Sequence, residues 1–348
     1  MKKWLILIYT TLLLTACLPR EEAAVEKPLP EPPPVKSAEE IKIGFSMDTL
    51  KEERWTKDLE LFKEAAEQHG AEVVLEIADG DDVKQVWQTE KMISEGIDVL
   101  VVVPHNAESM AAIVERAHDA GIKVLSYDRL VRNAEVDLYV SYDNEQVGIL
   151  QAQAMTKLVP KGKYVYLGGA ETDYNAHLIK QGVFSVLKPY IESGEITVVF
   201  NQWTKDWLPQ YAKENMEAAL QANNDDIDAV IAGNDATAGG AIDALQANGL
   251  AGKIPVAGQD ADLLGVRRIV EGTQTVTMYK SIDDLSQKAV ELAIKLAIGE
   301  EIQEDLKINN GKINVPSVLL SPVLVDESTI RETVIADGFH LEKEVYAP

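Results

Sequence analysis

The sequence predicts an α/β fold of two doubly wound lobes with a cleft between them. Three observations lead to this fold class. Short apolar runs alternate with longer amphipathic stretches from residue 40 onward, several runs such as 99–103 are almost wholly apolar, and the pattern restarts near residue 160. Alternating strand and helix units build parallel sheets, and strands that are apolar on both sides suit a sheet covered by helices on both faces.

In the first half, the strand-like runs are IKIGFSM, AEVVLEIA, DVLVVVP, IKVLSYD and LYVSYD. The stretches between them have helical periodicity. The first, RWTKDLELFKEAAEQHG, places Trp55, Leu59, Phe62 and Ala66 on one stripe and ends at Gly70. Two further amphipathic stretches also end at glycines, which are common just after a helix. This half therefore predicts one helix-covered sheet.

In the second half, the strand-like runs are KYVYLGG, ITVVFNQW, DAVIAGND, IPVAGQD and TVTMYK. Helices are predicted around 174–190, 207–222, 235–249, 261–271 and 281–298, and a strand-like PSVLLSPVLV follows. Two halves of this size predict two lobes. In such folds, ligands bind at the carboxyl ends of the strands.

The charge of the chain argues against one class of partner. Its 348 residues carry a formal net charge of −24, with 33 Lys and Arg against 57 Asp and Glu. A nucleic-acid-binding protein needs basic side chains to neutralise phosphates, so no nucleic acid is expected as a partner.

The N-terminus predicts export. Lys2 and Lys3 precede the apolar run WLILIYTTLLL, which is too short to remain as a membrane span, and LTAC follows with Cys17, the single cysteine of the chain. This pattern resembles the cleavage box of bacterial lipoproteins; the alternative is an ordinary secretory signal with a chance cysteine. We expect a signal peptide over 1–16, lipidation of Cys17 as an anchor to the cell membrane, and an extended Pro- and Glu-rich tether within 17–38.

Polar and aromatic residues follow the predicted strands at their carboxyl ends. They come from both halves: Arg54, Trp55, Asp128, Arg129, Asn175, Trp207, Asn234, Asp235, Asp260 and Lys280. Each also has a purely structural interpretation. Asn234, Asp235 and Asp260 could be helix N-caps, Trp55 could be a core residue of its helix, Trp207 could pack before Pro209, and Asp128 with Arg129 could be a surface ion pair.

Taken together, these residues have a coherent chemistry. Carboxylates and amides exchange hydrogen bonds with hydroxyl groups, Arg and Lys donate to them, and indole rings cover apolar C–H faces. The acidic side chains would repel an anionic ligand. The pattern therefore favours a neutral polyol such as a sugar.

At these residues the chain resembles type I substrate-binding proteins of bacterial sugar ABC transporters. The matching motifs are ERWTKD, LSYDRL, YVSYDNEQVG, YNAHL, DWLPQ, GNDATAGGAIDAL, AGQDAD and GTQTVTMYK, in order over about residues 41–300, and VLVDESTIRETVIADGFH extends the likeness. The paired tryptophans and the ordered set are more specific than any single motif. The lipid-anchored N-terminus, the tether and residues such as Glu53 and Tyr174 depart from the family pattern.

The resemblance implies a function and a set of site residues. It implies two lobes joined by three crossing strands, with 39–146 and 285–324 in the first lobe and 147–284 and 325–348 in the second. The implied ligand is a monosaccharide, D-xylose foremost, with arabinose, glucose or ribose as alternatives, and the implied partner is an ABC transporter permease outside the cytoplasm. The residues implied to hold the sugar are Arg54, Trp55, Asp128, Arg129, Asn175, Trp207, Asn234, Asp260 and Lys280.

Three other functions are considered. An enzyme is disfavoured because none of the HExxH, GxSxG, Walker A or GxGxxG motifs occurs and the five histidines lack metal-ligand spacing, so no catalytic residue, metal or cofactor is predicted. A sugar-responsive repressor would need a basic helix-turn-helix where the signal and tether lie. A sugar sensor that docks on a membrane receptor or kinase remains open. The stretch NNDDID lacks the glycine and glutamate of a calcium loop.

Overall fold

The computed structural model describes residues 41–347, which belong to one compact unit. The predicted signal peptide, Cys17 and the tether up to residue 38 lie outside the described residues. Within 41–347, no helix is long and apolar enough to cross a membrane.

Helices and strands alternate along most of the chain. The strands are β1 (Lys42–Met47), β2 (Glu72–Ile77), β3 (Val99–Val102), β4 (Lys123–Tyr127), β5 (Leu138–Tyr142), β6 (Gly162–Gly168), β7 (Ile196–Trp203), β8 (Ala229–Ala232), β9 (Val256–Ala257), β10 (Thr277–Tyr279), β11 (Lys307–Asn309), β12 (Asn314–Leu320) and β13 (Val323–Val325). The helices are α1 (Glu53–Gln68), α2 (Asp82–Ser94), α3 (Ala111–Asp119), α4 (Asn144–Leu158), α5 (Tyr174–Glu192), α6 (Pro209–Asn223), α7 (Asp235–Ala247), α8 (Leu263–Val270), α9 (Ile282–Ala297) and α10 (Glu342–Val345).

The first lobe is built on a seven-stranded sheet in the order β11-β12-β5-β4-β3-β1-β2. All pairs are parallel except β11 with β12. Its strands β1 and β3 are buried along most of their length, and the ring of Phe45 stacks on Phe62 of α1 with centroids 4.1 Å apart. Apolar clusters cover both faces, so the nearly continuous apolar runs are explained by burial on two sides.

The second lobe is built on a four-stranded parallel sheet in the order β7-β6-β8-β9, with a smaller antiparallel pair of β10 and β13 beside it. A bridge between Ala257 and Val276 links the chain before β10 to β9. Apolar clusters again lie on both faces of the larger sheet. The predicted α/β fold with two lobes of parallel sheet is confirmed.

The chain passes between the lobes three times, from β5 to α4, from β10 to α9 and from β12 to β13. The stretch PSVLLSPVLV, expected as one strand-like run, is instead two strands in different sheets. Ser321 and Pro322 separate them, and proline has no backbone N–H to continue a ladder. The residue boundaries of the two lobes stay a prediction.

Helix starts explain why polar side chains collect at the strand ends. Asp143 accepts a hydrogen bond from Gln146 N at the start of α4, and Asn234 accepts one from Thr237 N at the start of α7. Because each helix begins soon after a strand ends, its capping residue lies at the carboxyl edge of a sheet. These edges of the two lobes face the same cavity.

Candidate functional site

All nine sequence-predicted site residues line one cavity between the lobes. Its empty volume is about 330 Å³. Four residues outside that set also line it: Glu52, Asn144, Asp173 and Gln259. The first lobe contributes Arg54, Trp55, Asp128 and Arg129, and the second contributes Asn175, Trp207, Asn234, Asp260 and Lys280.

Arg54 is the centre of a buried charge cluster. Its guanidinium lies 2.9 Å from Asp128 Oδ2, 3.2 Å from Asp58 Oδ2 and 3.4 Å from Asp260 Oδ1. Lys280 Nζ approaches the same Asp260 oxygen at 2.7 Å. Asp260 and Lys280 belong to the second lobe, so this cluster spans the cleft. No side chain in it is more than 8% exposed, and each buried charge has an opposite partner, which avoids the cost of an unpaired one.

Arg129 forms a second buried link between the lobes. Its Nη1 contacts Asp48 Oδ2 in the first lobe, and its Nε lies 2.8 Å from Asp173 Oδ2 in the second. The guanidinium carbons of Arg54 and Arg129 lie 4.4 and 5.0 Å from the ring centroid of Trp55. The indole is thus held among cations, which favour the face of an aromatic ring.

The two asparagines of the site are also fixed by hydrogen bonds. Asn175 Nδ2 donates to the backbone oxygen and to Oδ1 of Asp128, both at 3.1 Å, and Tyr139 OH donates to Asn175 Oδ1 at 3.3 Å. Asn234 Oδ1 accepts from Thr237 N at 2.8 Å. The capping interpretation of Asn234 is therefore correct, and its side chain lines the cavity as well.

The two tryptophans belong to both the core and the cavity. Trp55 is 2% exposed and Trp207 is 6% exposed, and each is part of the apolar cluster of its own lobe. The Trp207 ring packs on backbone, since a Cβ added at Gly169 would lie 2.0 Å from it. Its Nε1 donates to Asp173 Oδ2 at 3.1 Å. The core interpretation and the binding interpretation are thus compatible for both residues.

Three cavity residues have left-handed backbone. Their φ angles are 57° at Asp128, 58° at Trp207 and 89° at Asp260. Positive φ is uncommon outside glycine and is a strained conformation for a bulky residue such as tryptophan. Strain of this kind collects at sites where the surrounding structure fixes a side chain for a ligand.

The pKa shifts in the site result from two opposing effects: burial disfavours the charged form of a group, and a nearby opposite charge favours it. Burial would raise the pKa of Asp128, but the charges of Arg54, Lys280 and Arg129 outweigh it and lower the pKa. Burial raises the pKa of Asp58 and Asp173 despite their arginine partners. Burial would lower the pKa of Arg54, but the surrounding carboxylates hold it well above the usual value.

Three structural interpretations from the sequence are wrong. Asp235 is not a helix cap, because Asn234 occupies the N-cap position of α7, and Asp235 does not line the cavity. Asp260 is not a helix cap, since Asp262 occupies the N-cap position of α8. Asp128 and Arg129 are not a surface ion pair, because both are buried and their short ion pairs are with other residues. Asp128, Arg129 and Asp260 instead line the cavity.

The four additional residues were missed for simple reasons. Asp173 and Gln259 lie one or two positions before predicted site residues on the same loops, and Asn144 opens α4 at the first crossing. Glu52 precedes α1; burial raises its pKa, and its Oε2 is buried with no hydrogen-bond partner among residues 41–347. Considering every polar residue between each strand end and the first helical turn would have found them.

The site is suited to holding a polar neutral molecule. Gln259 Oε1, like Glu52 Oε2, is a buried acceptor without a partner in the described chain, so two acceptors are available to hydroxyl donors. Among residues 41–347, no group of three or more His, Cys, Asp or Glu is placed to hold a metal ion.

Comparisons with known proteins agree with this geometry. The family described as "Periplasmic binding protein domain" matches residues 43–301. The D-xylose-binding periplasmic protein of Escherichia coli (strain K12) is 50% identical over 308 residues, covering 88% of this chain and 93% of that protein. The multiple sugar-binding periplasmic receptor ChvE of Rhizobium radiobacter is 33% identical, covering 88% of this chain and 93% of the receptor.

A solved structure with the same fold is also similar in sequence. It is a carbohydrate transporter solute binding protein from Chloroflexus aurantiacus, in complex with D-glucose. The TM-score is 0.82 and the identity 31%, and the alignment covers 87% of this chain and 97% of that one.

Proposed function

The chain belongs to the periplasmic binding protein family, and on that premise we propose that it captures one monosaccharide, D-xylose, and delivers it to the permease of an ABC importer outside the cytoplasm. The observation that carries the proposal is the chemistry of the cavity. Arg54, Arg129 and Lys280 are paired with carboxylates, while two acceptor atoms, Glu52 Oε2 and Gln259 Oε1, have no hydrogen-bond partner within residues 41–347. A neutral molecule with several hydroxyl groups satisfies both without adding charge.

The choice of D-xylose rests on size and on relatives. The cavity is small, which suits a single ring. Two relatives named D-xylose-binding periplasmic proteins are each 50% identical to this chain. Xylose lacks the hydroxymethyl group of glucose, and a pocket closed where that group projects would favour xylose by about 1–3 kcal/mol. Arabinose, glucose and ribose remain the competitors to test.

Binding works by closure of the two lobes. Arg54 and Arg129 of the first lobe contact Asp260 and Asp173 of the second, so groups from both lobes meet around the cavity. A sugar that contacts both lobes binds the closed form better than the open form and shifts the population toward it. The expected consequence is a smaller radius of gyration with saturating sugar; an unchanged radius would contradict closure.

We also propose that the protein is a lipoprotein anchored through Cys17. The support is the charged, apolar and LTAC pattern of residues 2–17, and Cys17 itself lies outside the described residues. Mass spectrometry of protein from its native membrane should show cleavage before Cys17 and a diacylated sulfur. An intact N-terminus would contradict the anchor.

Titration calorimetry tests the sugar proposal. Wild-type protein is titrated with xylose, arabinose, glucose and ribose, and xylose is expected to bind most tightly with one site per chain. Trp207→Ala should weaken binding by about 2 kcal/mol or more. Trp203→Ala is the matched control, because Trp203 packs beside Lys180 and His177 and does not line the cavity. No binding of any of the four sugars would overturn the proposal.

A further inference from the structure

A carboxylate from the first lobe caps a helix of the second. Glu53, in the first turn of α1, accepts a hydrogen bond through Oε2 from Leu263 N at 3.1 Å. Leu263 is the first residue of α8, and Asp262 at the N-cap position makes no capping bond with its own side chain. Unpaired N–H groups at a helix start favour a carboxylate. Here the capping group comes from across the cleft.

A second contact outside the cavity also joins the lobes. The guanidinium carbon of Arg132, in the loop after β4, lies 4.3 Å from the ring centroid of Tyr174, the first residue of α5. Beside it, Ala107 N donates to Thr172 O at 3.1 Å. Arg132 Nε is buried without a hydrogen-bond partner in the described chain, so the ring face compensates part of its burial.

Neither contact is part of the cavity, although Tyr174 packs against an apolar cluster of the first lobe and Leu263 against one that includes Val266 and Ile269. Glu53, Leu263, Arg132 and Tyr174 are all absent from the lining of the cavity. Each pair joins residues of different lobes, so it exists only while the lobes are together. Glu53 and Tyr174 are also residues at which the sequence departs from the expected family pattern.

We propose that the pairs Glu53–Leu263 and Arg132–Tyr174 form an outer clasp, which holds the lobes closed and sets how long the sugar stays bound. The proposal rests on the proposed function and names Glu53 and Tyr174 as positioning residues that act without touching the sugar. Sugar enters the open form, in which the clasp is not made, but leaves only after the closed form opens. Loss of the clasp therefore speeds release and leaves association unchanged.

The test is stopped-flow tryptophan fluorescence with D-xylose on the whole protein. Glu53→Gln and Tyr174→Leu should each release xylose about three- to tenfold faster, the range expected for one cap or one cation–π contact at a partly exposed site. Association rates should stay within about twofold of wild type. Tyr174→Phe keeps the ring and should keep slow release.

Glu60→Gln is the matched control, since Glu60 is an exposed carboxylate further along α1 and should release xylose at the wild-type rate. If Glu53→Gln and Tyr174→Leu release xylose at the wild-type rate, or change only the association rate, the clasp proposal is contradicted, but the proposed sugar-binding function is not. Wild-type protein that binds no xylose would overturn the proposed function, and the clasp that rests on it would fall as well.

Discussion

Arg129 and Asp173 join the two lobes through a buried ion pair. The Nε and Oδ2 atoms are 2.8 Å apart, and the two side chains are 7% and 3% exposed. Arg129 also holds Asp48 in its own lobe, and Asp173 also accepts from Trp207 Nε1. Closure of the cleft therefore brings a charge, its partner and a cavity indole into one fixed arrangement.

The first prediction concerns this pair. Asp173→Asn keeps the shape of the side chain but removes the charge facing Arg129, so the closed form loses a buried charge partner. Sugar binding should weaken by about 2 kcal/mol or more in titration calorimetry. Glu171→Gln, an exposed change on the same loop, is the control and should bind as wild type. An Asp173→Asn protein with wild-type affinity would show that the pair does not support closure.

The second prediction concerns Asp260, which faces both Arg54 and Lys280. Asp260→Asn should weaken sugar binding by roughly 2–4 kcal/mol, because two buried cations then lose a shared carboxylate. Asn is chosen because it tolerates positive φ, so the backbone angle of 89° adds little strain. Asp225→Asn makes the same change at an exposed residue with φ 61° and should leave affinity unchanged. Equal affinities of the two variants would refute this role.

The third prediction uses a glycine that touches no ligand. In Gly169→Ala the new Cβ would lie 2.0 Å from the Trp207 ring, so the indole must move. Sugar affinity should fall because the displaced indole no longer lies where it lines the cavity, and overpacking of this kind also costs about 1–3 kcal/mol of folding stability. In the control Gly239→Ala, the Cβ meets only the end of the flexible Arg268 side chain, at 3.0 Å, and affinity should be retained. Unchanged affinity in both variants would mean that Trp207 placement does not matter.

The fourth prediction concerns pH. His105 Nδ1 lies 2.8 Å from Asp48 Oδ1, and this hydrogen bond raises the pKa of His105 above 6.5, with Asp206 adding to the shift while burial and Arg129 oppose it. A raised pKa in the folded state means that the stabilisation is fully present below pH 6.5 and is lost as pH rises through the folded value.

Thermal unfolding of wild type and His105→Gln across this range provides the check. The free energies of unfolding of the two proteins should differ most at low pH and become equal at higher pH. The largest difference should be under about 1 kcal/mol, because the imidazole is partly exposed. A His105→Gln difference that grows with pH would have the wrong sign.

The fold followed closely from the sequence because the strands are buried on both faces. The run ITVVFNQW coincides with β7, and the predicted helix 281–298 differs from α9 by one residue at each end. The short strand β11 was not predicted, since its three residues carry too little apolar pattern. The split between β12 and β13 depends on which sheet each half joins, and this long-range choice is not encoded in local periodicity.

The sequence predicted residues of the site, but not which side chains form ion pairs with each other. Strand-end position selected ten residues, and nine of them line the cavity; the tenth, Asp235, does not. Their partners were not predictable: Arg54 binds Asp58 four residues along its own helix, but also Asp260, more than two hundred residues away. The buried Asp48 and Asp58 were not predicted. They form ion pairs with Arg129 and Arg54, respectively, but do not line the cavity themselves.

Fluorine NMR of protein labelled with fluorotryptophan shows in one experiment whether xylose binds and which tryptophans it contacts. The chain has five tryptophans; Trp4 lies in the predicted signal peptide, so the mature protein should give four signals, each assignable by a single substitution. With saturating D-xylose, the signals of Trp55 and Trp207 should shift strongly, because both line the cavity. Those of Trp87, which is 63% exposed, and Trp203 should stay nearly in place. Signals of Trp55 and Trp207 that stay unchanged while xylose is saturating would contradict the account.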